Sequence, residues 1–509
     1  MILLILLALI WIRSNLKDRN PGYLADLKII NGESSVLNAG FAAFPITPEV
    51  PDRWTDTNGD AKYNLKDGDT FTDGNGNGVF DPVWIAGFGN GRAANGIHDD
   101  LWSRAMVIDD GKTRLAIVVL DVIGFMNDDV IDVRNRIPGD AEVTITIIAS
   151  THTHEGPDLI GLWGKSPVKS GVNKDYMEHV KSQTVKSVVA AINTMRPVRL
   201  EVSEDLTGAI PLVMDTRKPE IFDSGLRLIR VIDKEDGNTL GSLISWANHP
   251  ETLWGKNLLI TSDFPHYVRQ GVEKGVFNGD SLVMPGIGGI AIYVNGAIGG
   301  LMTTHPNLAV KDPFTGQEFR EPAFDKAEAQ GKQLALLALN AMENPVEKID
   351  SAGISLLVRT VTLPIDNKLF KLGTLLGLFD RGTCGWMKMR SELSVFKLGP
   401  VSFAAIPGEV YPEIINGGIE APGGGDFPVE PFEVPSVRTM MPDKYKFIIG
   451  LANDEIGYII PHSQWDVKAP YTYGSSDSPY GEENSLGPET APILHENIKE
   501  MLGELNRLE

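Results

Sequence analysis

The sequence predicts an α/β fold in which mixed β-sheets are flanked by α-helices. Short apolar runs rich in β-branched residues alternate along the chain with longer segments of helical periodicity. The 509 residues are 42% hydrophobic and 22% charged, so the chain has enough apolar side chains for a large buried core. We therefore expect one large domain or two fused ones.

The predicted strands are short segments dominated by valine, isoleucine and leucine, at 114–124, 142–150, 226–233, 241–248, 354–363 and 393–407. The predicted helices repeat apolar residues every three or four positions, at 175–195, 324–342 and 491–505. A glycine-rich stretch at 285–300 lacks the spacing of a nucleotide-binding loop. We expect its backbone to pass close to another part of the chain.

Charge and cysteine content exclude several classes of protein. The formal net charge of −21 argues against a nucleic-acid partner, because such partners are bound through an excess of lysine and arginine. The single cysteine, Cys384, excludes an intrachain disulfide and any zinc site built on several thiolates.

Residues 1–24 are predicted to be an apolar signal or anchor segment. The first twelve residues, MILLILLALIWI, would reach roughly 18 Å as a helix, which is less than the ~30 Å hydrocarbon core of a bilayer. No small-x-small cleavage site follows them. An uncleaved membrane anchor at 1–12, a truncated start and a buried N-terminal helix remain open, and we expect export to a periplasmic or extracellular location.

A stretch rich in aspartate, asparagine and glycine predicts a calcium-binding insert at 51–84. Side-chain oxygens in DTNGDAKYNLKDGDTFTDGNGNGVFD fall at calcium-loop spacing, first at Asp56, Asn58, Asp60, Asn64 and Asp67, and again at Asp73, Asn75, Asn77 and Asp81. The alternative is a solvated acidic loop. No amphipathic helix flanks either loop, so we expect structural calcium sites rather than an EF-hand switch, and such sites suit a calcium-rich exterior.

Polar residues follow several predicted strands, where catalytic groups and ligands gather in α/β sheets. These residues are Asp121, His152 and His154, His249 and Glu251, and Glu409. In an extended chain, residues i and i+2 face the same side, which would point both histidines of THTH into one cleft. Neutral imidazoles with one carboxylate form a zinc site that keeps a position open for water. The alternative is a set of hydrogen-bonded core histidines.

These residues lie in motifs that resemble those of the neutral (neutral/alkaline, non-lysosomal) ceramidase family. The matching segments, in family order, are GFAAFPITP (40–48), GIHDDLWSRA (96–105), THTHEGP (151–157), WANHPETL (246–253), SDFPHYV (262–268), IPGEVYPE (406–413) and GLANDEIGY (450–458). Each motif is weak alone, but together they span most of the chain. The resemblance implies a neutral-ceramidase-like zinc hydrolase domain at 25–509.

The resemblance also implies an activity and the residues that perform it. The chain would use metal-activated water to cleave an amide bond of an N-acylated, ceramide-like lipid, and contact with a membrane surface would suit that substrate. The implied zinc ligands are His152, His249, Glu409 and Tyr458. The implied catalytic residues are His154, for proton transfer, and Arg217 with Tyr480, for the oxyanion; Tyr471 and Tyr473 are alternatives to Tyr480.

The chain departs from the family at several positions. Where the family has N-x-G-D-x-S-P-N, this sequence reads NGAIGGLMTTHPN at 295–307, with Met302 at the serine position and Gly300 at the aspartate. This argues against an acyl-enzyme, whereas a zinc-water mechanism does not need that serine. Pro45 replaces an aspartate, and the family's C-terminal immunoglobulin-like domain is expected to be missing after the helix at 491–505.

The departures leave alternatives open. The chain could be a calcium-stabilised envelope binding protein with a degenerate site, or a zinc hydrolase of another N-acyl or ester substrate. Arg217 could simply pair with Asp215 or Glu220, and Tyr458 could be a packed core tyrosine. His98, Asp99, Asp121 and Asp263 are candidates to hydrogen-bond the ligating imidazoles, or else to cap helices and turns.

Overall fold

The structure is a computed structural model that describes residues 2–300 and 302–507. Position 1 of the predicted N-terminal segment, and positions 301, 508 and 509 of the predicted domain, lie outside the described residues, as do the side chains of residues 2–6 and 8.

The strands are, in chain order, β1 (Leu27–Ile29), β2 (Leu37–Pro45), β3 (Arg53–Thr55), β4 (Thr70–Thr72), β5 (Trp102–Asp109), β6 (Arg114–Leu120), β7 (Ile145–Ser150), β8 (Arg196–Asp205), β9 (Met214–Asp215), β10 (Leu226–Asp233), β11 (Thr239–Ser245), β12 (Gly275–Asn278), β13 (Ser281–Pro285), β14 (Ile290–Val294), β15 (Met302–Thr303), β16 (Val310–Lys311), β17 (Glu318–Phe319), β18 (Glu347–Ile349), β19 (Ile354–Pro364), β20 (Lys388–Leu398), β21 (Val401–Ala405), β22 (Glu409–Val410), β23 (Tyr445–Ile449) and β24 (Tyr458–Ile459). The helices are α1 (Ile2–Asn15), α2 (Asn127–Arg136), α3 (Lys174–Asn193), α4 (Phe264–Lys274), α5 (Phe324–Glu343), α6 (Lys368–Leu376), α7 (Pro412–Asn416), α8 (Val437–Met440), α9 (Tyr480–Glu483) and α10 (Thr490–Arg507).

Two mixed sheets form the centre of the molecule. The larger has the order β14-β11-β10-β8-β2-β5-β6-β7, with β18 also paired to β8, and the smaller has the order β1-β19-β20-β21-β23. Pairs β6–β7, β11–β14 and β21–β23 are parallel, while the other pairs in these sheets are antiparallel. The predicted α/β class with mixed sheets is confirmed.

The inner faces of the two sheets share one apolar core. Phe41, Ile117 and Ile229 of the larger sheet belong to the same buried cluster as Phe396 and Phe403 of the smaller one. On the outer faces, α3, α4 and α5 pack against the larger sheet and α10 packs against the smaller. The result is a layered α-β-β-α arrangement, in which each sheet buries both of its faces.

The predicted helices and most predicted strands occur close to their expected positions. The prediction of one strand at 393–407 is wrong, because the segment ends β20 and begins β21 with a hairpin turn between them. Gly399 lies in the turn with a φ of 57°, a left-handed conformation that glycine adopts without strain. The Gly-Pro pair at 399–400 was a turn signal inside an otherwise continuous apolar run.

The N-terminal apolar segment forms α1, which lies beside α6. The side-chain amide of Asn15 donates a hydrogen bond to the carbonyl oxygen of Leu375 at 2.9 Å. Leu9 and Ile10 are 55% and 65% exposed, so these residues do not form the buried helix that the sequence left open. Within residues 2–300 and 302–507, no helix has the length and apolar character needed to cross a membrane.

Candidate metal centre

The carboxyl ends of the central strands bring the predicted site residues together. The chain leaves β7 toward His152 and leaves β11 toward His249, while β22 carries Glu409. Isolated bridges join Ala149 to Ala452 and His249 to Thr303, which hold these strand ends against one another. The predicted gathering of polar residues at strand ends is therefore present in the structure.

His152 and His249 have the same hydrogen-bonding pattern. The Nδ1 of His152 lies 2.6 Å from the carbonyl oxygen of Ile123, and the Nδ1 of His249 lies 2.8 Å from that of Met302. Because a carbonyl oxygen only accepts, each Nδ1 carries the proton and donates it. Each Nε2 faces Glu409, at 3.6 Å from His152 and 2.9 Å from His249. Metal-binding histidines typically donate their other nitrogen to a carbonyl in this way.

His154 differs from its neighbour two residues earlier. Neither of its ring nitrogens has a hydrogen-bond partner among the described residues, although the side chain is buried. Its Nδ1 lies 3.3 Å from an oxygen of Glu251, outside hydrogen-bonding geometry. Its backbone is held by a hydrogen bond from His154 N to the carbonyl oxygen of Pro250 at 3.0 Å. The imidazole is thus positioned by packing and is left without a fixed proton partner.

The three imidazoles form a compact buried cluster. One ring nitrogen from each of His152, His154 and His249 lies within 4.8 Å of the others. His152 adopts a φ of 67°, which a residue with a side chain seldom does. Strained backbone of this kind is concentrated at functional sites. The cluster could hold a metal ion, and Glu409 is the carboxylate nearest to two of its members.

Glu409 and Tyr458 lie opposite each other in the parallel pair β22–β24. Burial would raise the pKa of Glu409, but the charges of His152 and His249, with hydrogen bonds from His249 and Tyr458, lower it below its ordinary value. The carboxylate is therefore charged inside the protein, as a metal ligand must be. Tyr458 is 4% exposed, and burial raises the pKa of its hydroxyl well above the ordinary value.

The histidine pKa values reflect burial and neighbouring charge. Burial lowers the pKa of His152 to about 4. Burial also lowers the pKa of His154 well below its ordinary value, and the charges of His152, His249 and Arg92 lower it further. For His249, burial acts in the same direction, but the hydrogen bond with Glu409 and the charges of Glu251 and Glu409 outweigh it and raise the pKa to about 9. His154 is thus a neutral base at pH 7.

The cluster lies in the wall of an apolar cavity. The empty space of this cavity, including the open solvent at its mouth, is about 660 Å³. Apart from the site residues, its lining is dominated by Ile123, Met126, Ile160, Leu162, Trp163, Phe370, Phe379, Met389, Ile456 and Leu486. His152, His154, Glu409, Tyr458 and Tyr480 line it as well. A chain of methylene groups would find apolar contacts on most sides of this cavity.

Tyr480 and Arg217 lie in different surroundings. Tyr480 is 55% exposed, lines the metal cavity and also lines an adjoining cavity that contains Arg217. Arg217 forms an ion pair with Glu413, and its guanidinium carbon lies 4.1 Å from the ring centre of Tyr411. Of the two alternative tyrosines, Tyr473 lines only the adjoining cavity, where its hydroxyl donates to Glu420. Arg217 is absent from the lining of the metal cavity, and its predicted role at the oxyanion remains a prediction.

Met302, at the family's serine position, contributes its backbone and not its side chain. The side chain lies in the buried cluster between the larger sheet and helices α4 and α5, and does not line the metal cavity. Its carbonyl oxygen accepts hydrogen bonds from the Nδ1 and the backbone nitrogen of His249. In the glycine-rich stretch, a Cβ on Gly299 would collide with the carbonyl oxygen of Glu409, so this backbone does pass close to the site.

The remaining histidine and aspartate candidates do not hydrogen-bond the clustered imidazoles. Asp121 forms a bidentate ion pair with Arg269 at 2.7 and 2.9 Å. Asp263 caps the N-terminus of α4. His98 pairs with Asp99 at 2.9 Å. The clustered imidazoles donate to backbone carbonyl oxygens and not to these side chains. Asp263 caps a helix, which is the alternative that the sequence left open.

The predicted calcium insert contains the short pair β3–β4 and two loops with matching turns. In the first loop, the carboxylate of Asp56 accepts from the backbone N–H groups of residues 59, 60 and 61. In the second, Asp73 accepts from residues 76, 77 and 78. The remaining predicted ligands hydrogen-bond within their own loop: Asn58 to Asp60, Asn64 to Asp67, and Asn75 and Asn77 to Asp81. Calcium binding stays a prediction.

Glu455 and Arg92 are among the polar residues of the site that the sequence did not single out. Glu455 lines the apolar cavity, and one of its carboxyl oxygens has no hydrogen-bond partner among the described residues. It follows β23, so the strand-end pattern that singled out His152 would have found it too. Arg92 donates a hydrogen bond to the carbonyl oxygen of His154 and pairs with Glu155 at 3.3 Å. The sequence contains no pattern that would predict contact between Arg92 and the THTHEGP segment.

Comparisons with known proteins bear on the fold. No family model matches the sequence. The structure is similar to a crystal structure of neutral ceramidase from Pseudomonas aeruginosa, with a TM-score of 0.66 and 15% identity over 93% of this chain and 75% of that one. It is also similar to a ceramidase complexed with C2, with a TM-score of 0.63 and 14% identity over 93% of this chain and 76% of that one. The predicted resemblance to neutral ceramidases is thus confirmed for the fold.

Proposed function

We propose that this protein is a zinc-dependent hydrolase that cleaves an amide bond of an N-acylated, ceramide-like lipid. One observation carries the proposal. His152 and His249 each donate Nδ1–H to a backbone carbonyl and turn Nε2 toward Glu409, in the wall of an apolar cavity. The fold shared with neutral ceramidases supports the same function.

The donor set fits zinc. Two imidazole nitrogens and one carboxylate are the ligands of a catalytic zinc site with an open position, and His249 would release its Nε2 proton on binding the ion. His152, His249 and Glu409 would hold the ion, with Tyr458 as the further ligand that the resemblance implies. A bound zinc ion would supply a Lewis acid and would lower the pKa of a water molecule toward ~7.

His154 is the residue we assign to proton transfer. Its burial keeps the imidazole neutral, and both ring nitrogens are without a hydrogen-bond partner among the described residues. A neutral imidazole can accept a proton from water on one nitrogen and later donate it to the leaving amine. Glu251, 3.3 Å from Nδ1, can accept a hydrogen bond after a small rotation of either side chain and so stabilise the protonated ring.

The cavity supplies the remaining requirements of the reaction. Its apolar lining would bind the acyl chain and exclude water from the reacting bond. Tyr480, which lines both cavities, is the residue whose hydroxyl we assign to donate a hydrogen bond to the oxyanion. Partial burial, together with the charges of Glu409, Glu251 and Glu483, raises the pKa of this hydroxyl to about 12, so it keeps its proton at neutral pH. Arg217 would pack against the ring of Tyr411 and stabilise the position of that ring.

For the insert at 51–84 we propose a structural role for calcium in an exported protein. Asp56, Asn58 and Asp60 in the first loop, and Asp73 and Asn77 in the second, are half-buried or exposed and place side-chain oxygens within short glycine-containing turns. Removing calcium with a chelator should lower the melting temperature of the whole chain. Zinc content should be unaffected when the chelator is calcium-selective.

The proposal is tested by metal analysis of the purified full chain, joined to a panel of N-acyl amides and matching esters. We expect about one zinc per chain and hydrolysis of long-chain N-acyl amides. Zinc with hydrolysis of esters alone would favour a hydrolase of a different substrate. Zinc without any turnover would favour the envelope binding protein, and protein without a transition metal would contradict both hydrolase alternatives.

A further inference from the structure

Exposed apolar side chains are concentrated beside the cavity. Leu369 and Leu372 on α6 are 63% and 51% exposed, and Trp386 is 74% exposed. On α1, Leu9 and Trp11 are 55% and 48% exposed. We call the surface formed by α1, α6 and Trp386 the docking face. Large apolar side chains that are exposed together mark an interaction surface.

The docking face is one continuous surface. Asn15 of α1 is hydrogen-bonded to the end of α6. A groove next to Trp386 is lined by Leu9, Ile10 and Ile12 of α1 and by Leu16, which directly follows the helix. The exposed part of α1 therefore lies alongside both of the other components.

Helix α6 connects the docking face to the metal cavity. Its residue Phe370 lines the cavity, whereas Leu369 and Leu372 face outward. At its N-terminus, the side-chain amide of Asn367 donates to carbonyl oxygens of residues 482, 483 and 485 at 2.9 to 3.2 Å. This fixes α6 next to the segment that carries Tyr480 and Asn484 of the cavity lining. One helix thus separates the cavity from the exposed apolar side chains.

A loop on another part of the cavity rim has the same character. Leu162 and Trp163 line the cavity, and a few residues later Val168 is 67% exposed. A Cβ on Gly161 would collide with the carbonyl oxygen of Leu378, so this loop lies against the turn that follows α6. Exposed apolar residues therefore occur on two neighbouring segments that also line the cavity.

Basic residues accompany these apolar side chains in a protein whose net charge is −21. Arg13 and Lys17 line the groove next to Trp386. Lys368 and Lys371 lie on α6 and Lys165 and Lys169 on the rim loop. Of the nearby acidic groups, Asp366 lies 3.7 Å from Lys371, while Asp380 and Asp18 pair with Arg19 and Arg390. Apolar side chains bordered by lysine and arginine match the headgroup region of an anionic bilayer.

We propose that the docking face binds the surface of an anionic lipid bilayer and presents the cavity rim to it. The attachment we propose is interfacial: Leu9 and Trp11 of α1, with the exposed leucines of α6, enter the headgroup boundary. A lipid could then pass from the bilayer into the cavity without crossing bulk water. Only this last step rests on the proposed function, because membrane binding itself does not require hydrolysis.

The test is sedimentation of the full chain with vesicles of phosphatidylcholine, alone or with phosphatidylglycerol. Binding should be stronger to the anionic vesicles and should weaken with salt. The variant Leu369→Glu/Leu372→Glu should lose about tenfold or more in vesicle binding, since both leucines would otherwise be buried in the boundary region. The matched control is Leu282→Glu/Val283→Glu, which changes two exposed residues of β13, 52% and 51% exposed, outside the docking face.

Retained zinc content and an unchanged melting temperature would show that both double variants are folded. Equal vesicle binding by the two variants, or a wild-type chain that ignores vesicles, would overturn the proposal. So would a stable dimer in which Trp386 is buried, because a second copy would then cover the face. A wild-type chain that binds vesicles as expected but hydrolyses no N-acyl amide would count against the proposed function alone. Failure of the membrane-binding proposal and failure of the proposed function are therefore distinguishable.

Discussion

His152 and His154 lie on one turn with ring centres 4.9 Å apart, yet only His152 has a fixed hydrogen-bond partner. The Nδ1 of His152 donates to Ile123, and its Nε2 faces Glu409. The ring of His154 has no hydrogen-bond partner among the described residues. Two residues that look equivalent in the sequence are therefore suited to different tasks, one to holding a metal and the other to moving a proton.

Gly87 should control the position of His154. A Cβ on Gly87 would lie 2.5 Å from the Cβ and Cγ of His154, and its φ of 101° disfavours any side chain. We expect Gly87→Ala to displace the imidazole and to lower kcat at least about tenfold, because small displacements of catalytic groups are costly. Zinc content should stay at the wild-type level.

The control for this substitution is Gly89→Ala. A Cβ there would approach nothing closer than the Lys62 side chain at 3.9 Å, so activity should be preserved. Equal activity of both variants would contradict the positioning role of Gly87.

Tyr458 should strengthen metal binding. Its hydroxyl helps to keep Glu409 charged, and the two residues are register partners in β22–β24. Loss of a group that ligates or supports a metal site usually costs 10–100-fold in affinity, so we expect a fall of about that size for Tyr458→Phe. Competition with a chelator of known affinity measures it. Tyr411→Phe removes a buried hydroxyl without a hydrogen-bond partner among the described residues and should leave zinc affinity unchanged.

Arg217 should stabilise the fold through Glu413. The side chain of Glu413 is fully buried, so Arg217→Met would leave an unpaired charge and lower the free energy of unfolding by about 3–5 kcal/mol. Adding Glu413→Gln should recover most of this loss in urea unfolding experiments.

The double variant then isolates any catalytic role of Arg217. Loss of an oxyanion donor costs about 10²–10³ in kcat. Because Arg217 does not line the metal cavity, we expect the double variant to lose less than about tenfold. A loss of the larger size in a stable protein would assign the oxyanion to Arg217.

Glu482 should make stability depend on pH. Burial raises its pKa to about 8, and one of its carboxyl oxygens has no hydrogen-bond partner among the described residues. Between the ordinary pKa of glutamate and pH 8, the native state keeps this proton while the unfolded state releases it. This group therefore lowers the free energy of unfolding as pH rises through that window, by at most about 1.4 kcal/mol per pH unit.

In Glu482→Gln this contribution should disappear. Urea unfolding at pH 5 and pH 8 should show a smaller fall in stability for the variant than for the wild-type chain. The same fall in both proteins would show that Glu482 is charged in the native state.

Periodicity and strand-end patterns were sufficient for the fold class and for candidate residues of the site. His152, His249 and Glu409 follow buried strands, and parallel strands bring their ends to one region. The position of each residue after a strand therefore indicated that residues far apart in the chain lie close together in the fold. The hairpin at Gly399 was missed because the apolar run continues on both sides of the turn. Tertiary packing, and not propensity, decides where such a run folds back.

The partners of the site residues could not be read from the sequence. The groups that orient His152 and His249 are the carbonyl oxygens of Ile123 and Met302. Every residue type has a backbone carbonyl, so the sequence gives no indication of these contacts. Asp121 and Asp263 were candidates to hydrogen-bond these imidazoles. Asp121 instead pairs with an arginine, and Asp263 caps a helix. Arg92, which holds the backbone of His154, lies 62 positions away in the chain.

The most direct test of the account is the zinc content of purified full-length His152→Ala and His154→Ala, measured beside the wild-type chain and together with hydrolysis of an N-acyl amide. We expect His152→Ala to lose both zinc and activity, because it removes an imidazole nitrogen that faces Glu409. His154→Ala should keep wild-type zinc content and lose activity. Loss of zinc from His154→Ala, with zinc retained in His152→Ala, would contradict the assignment of ligand and proton carrier.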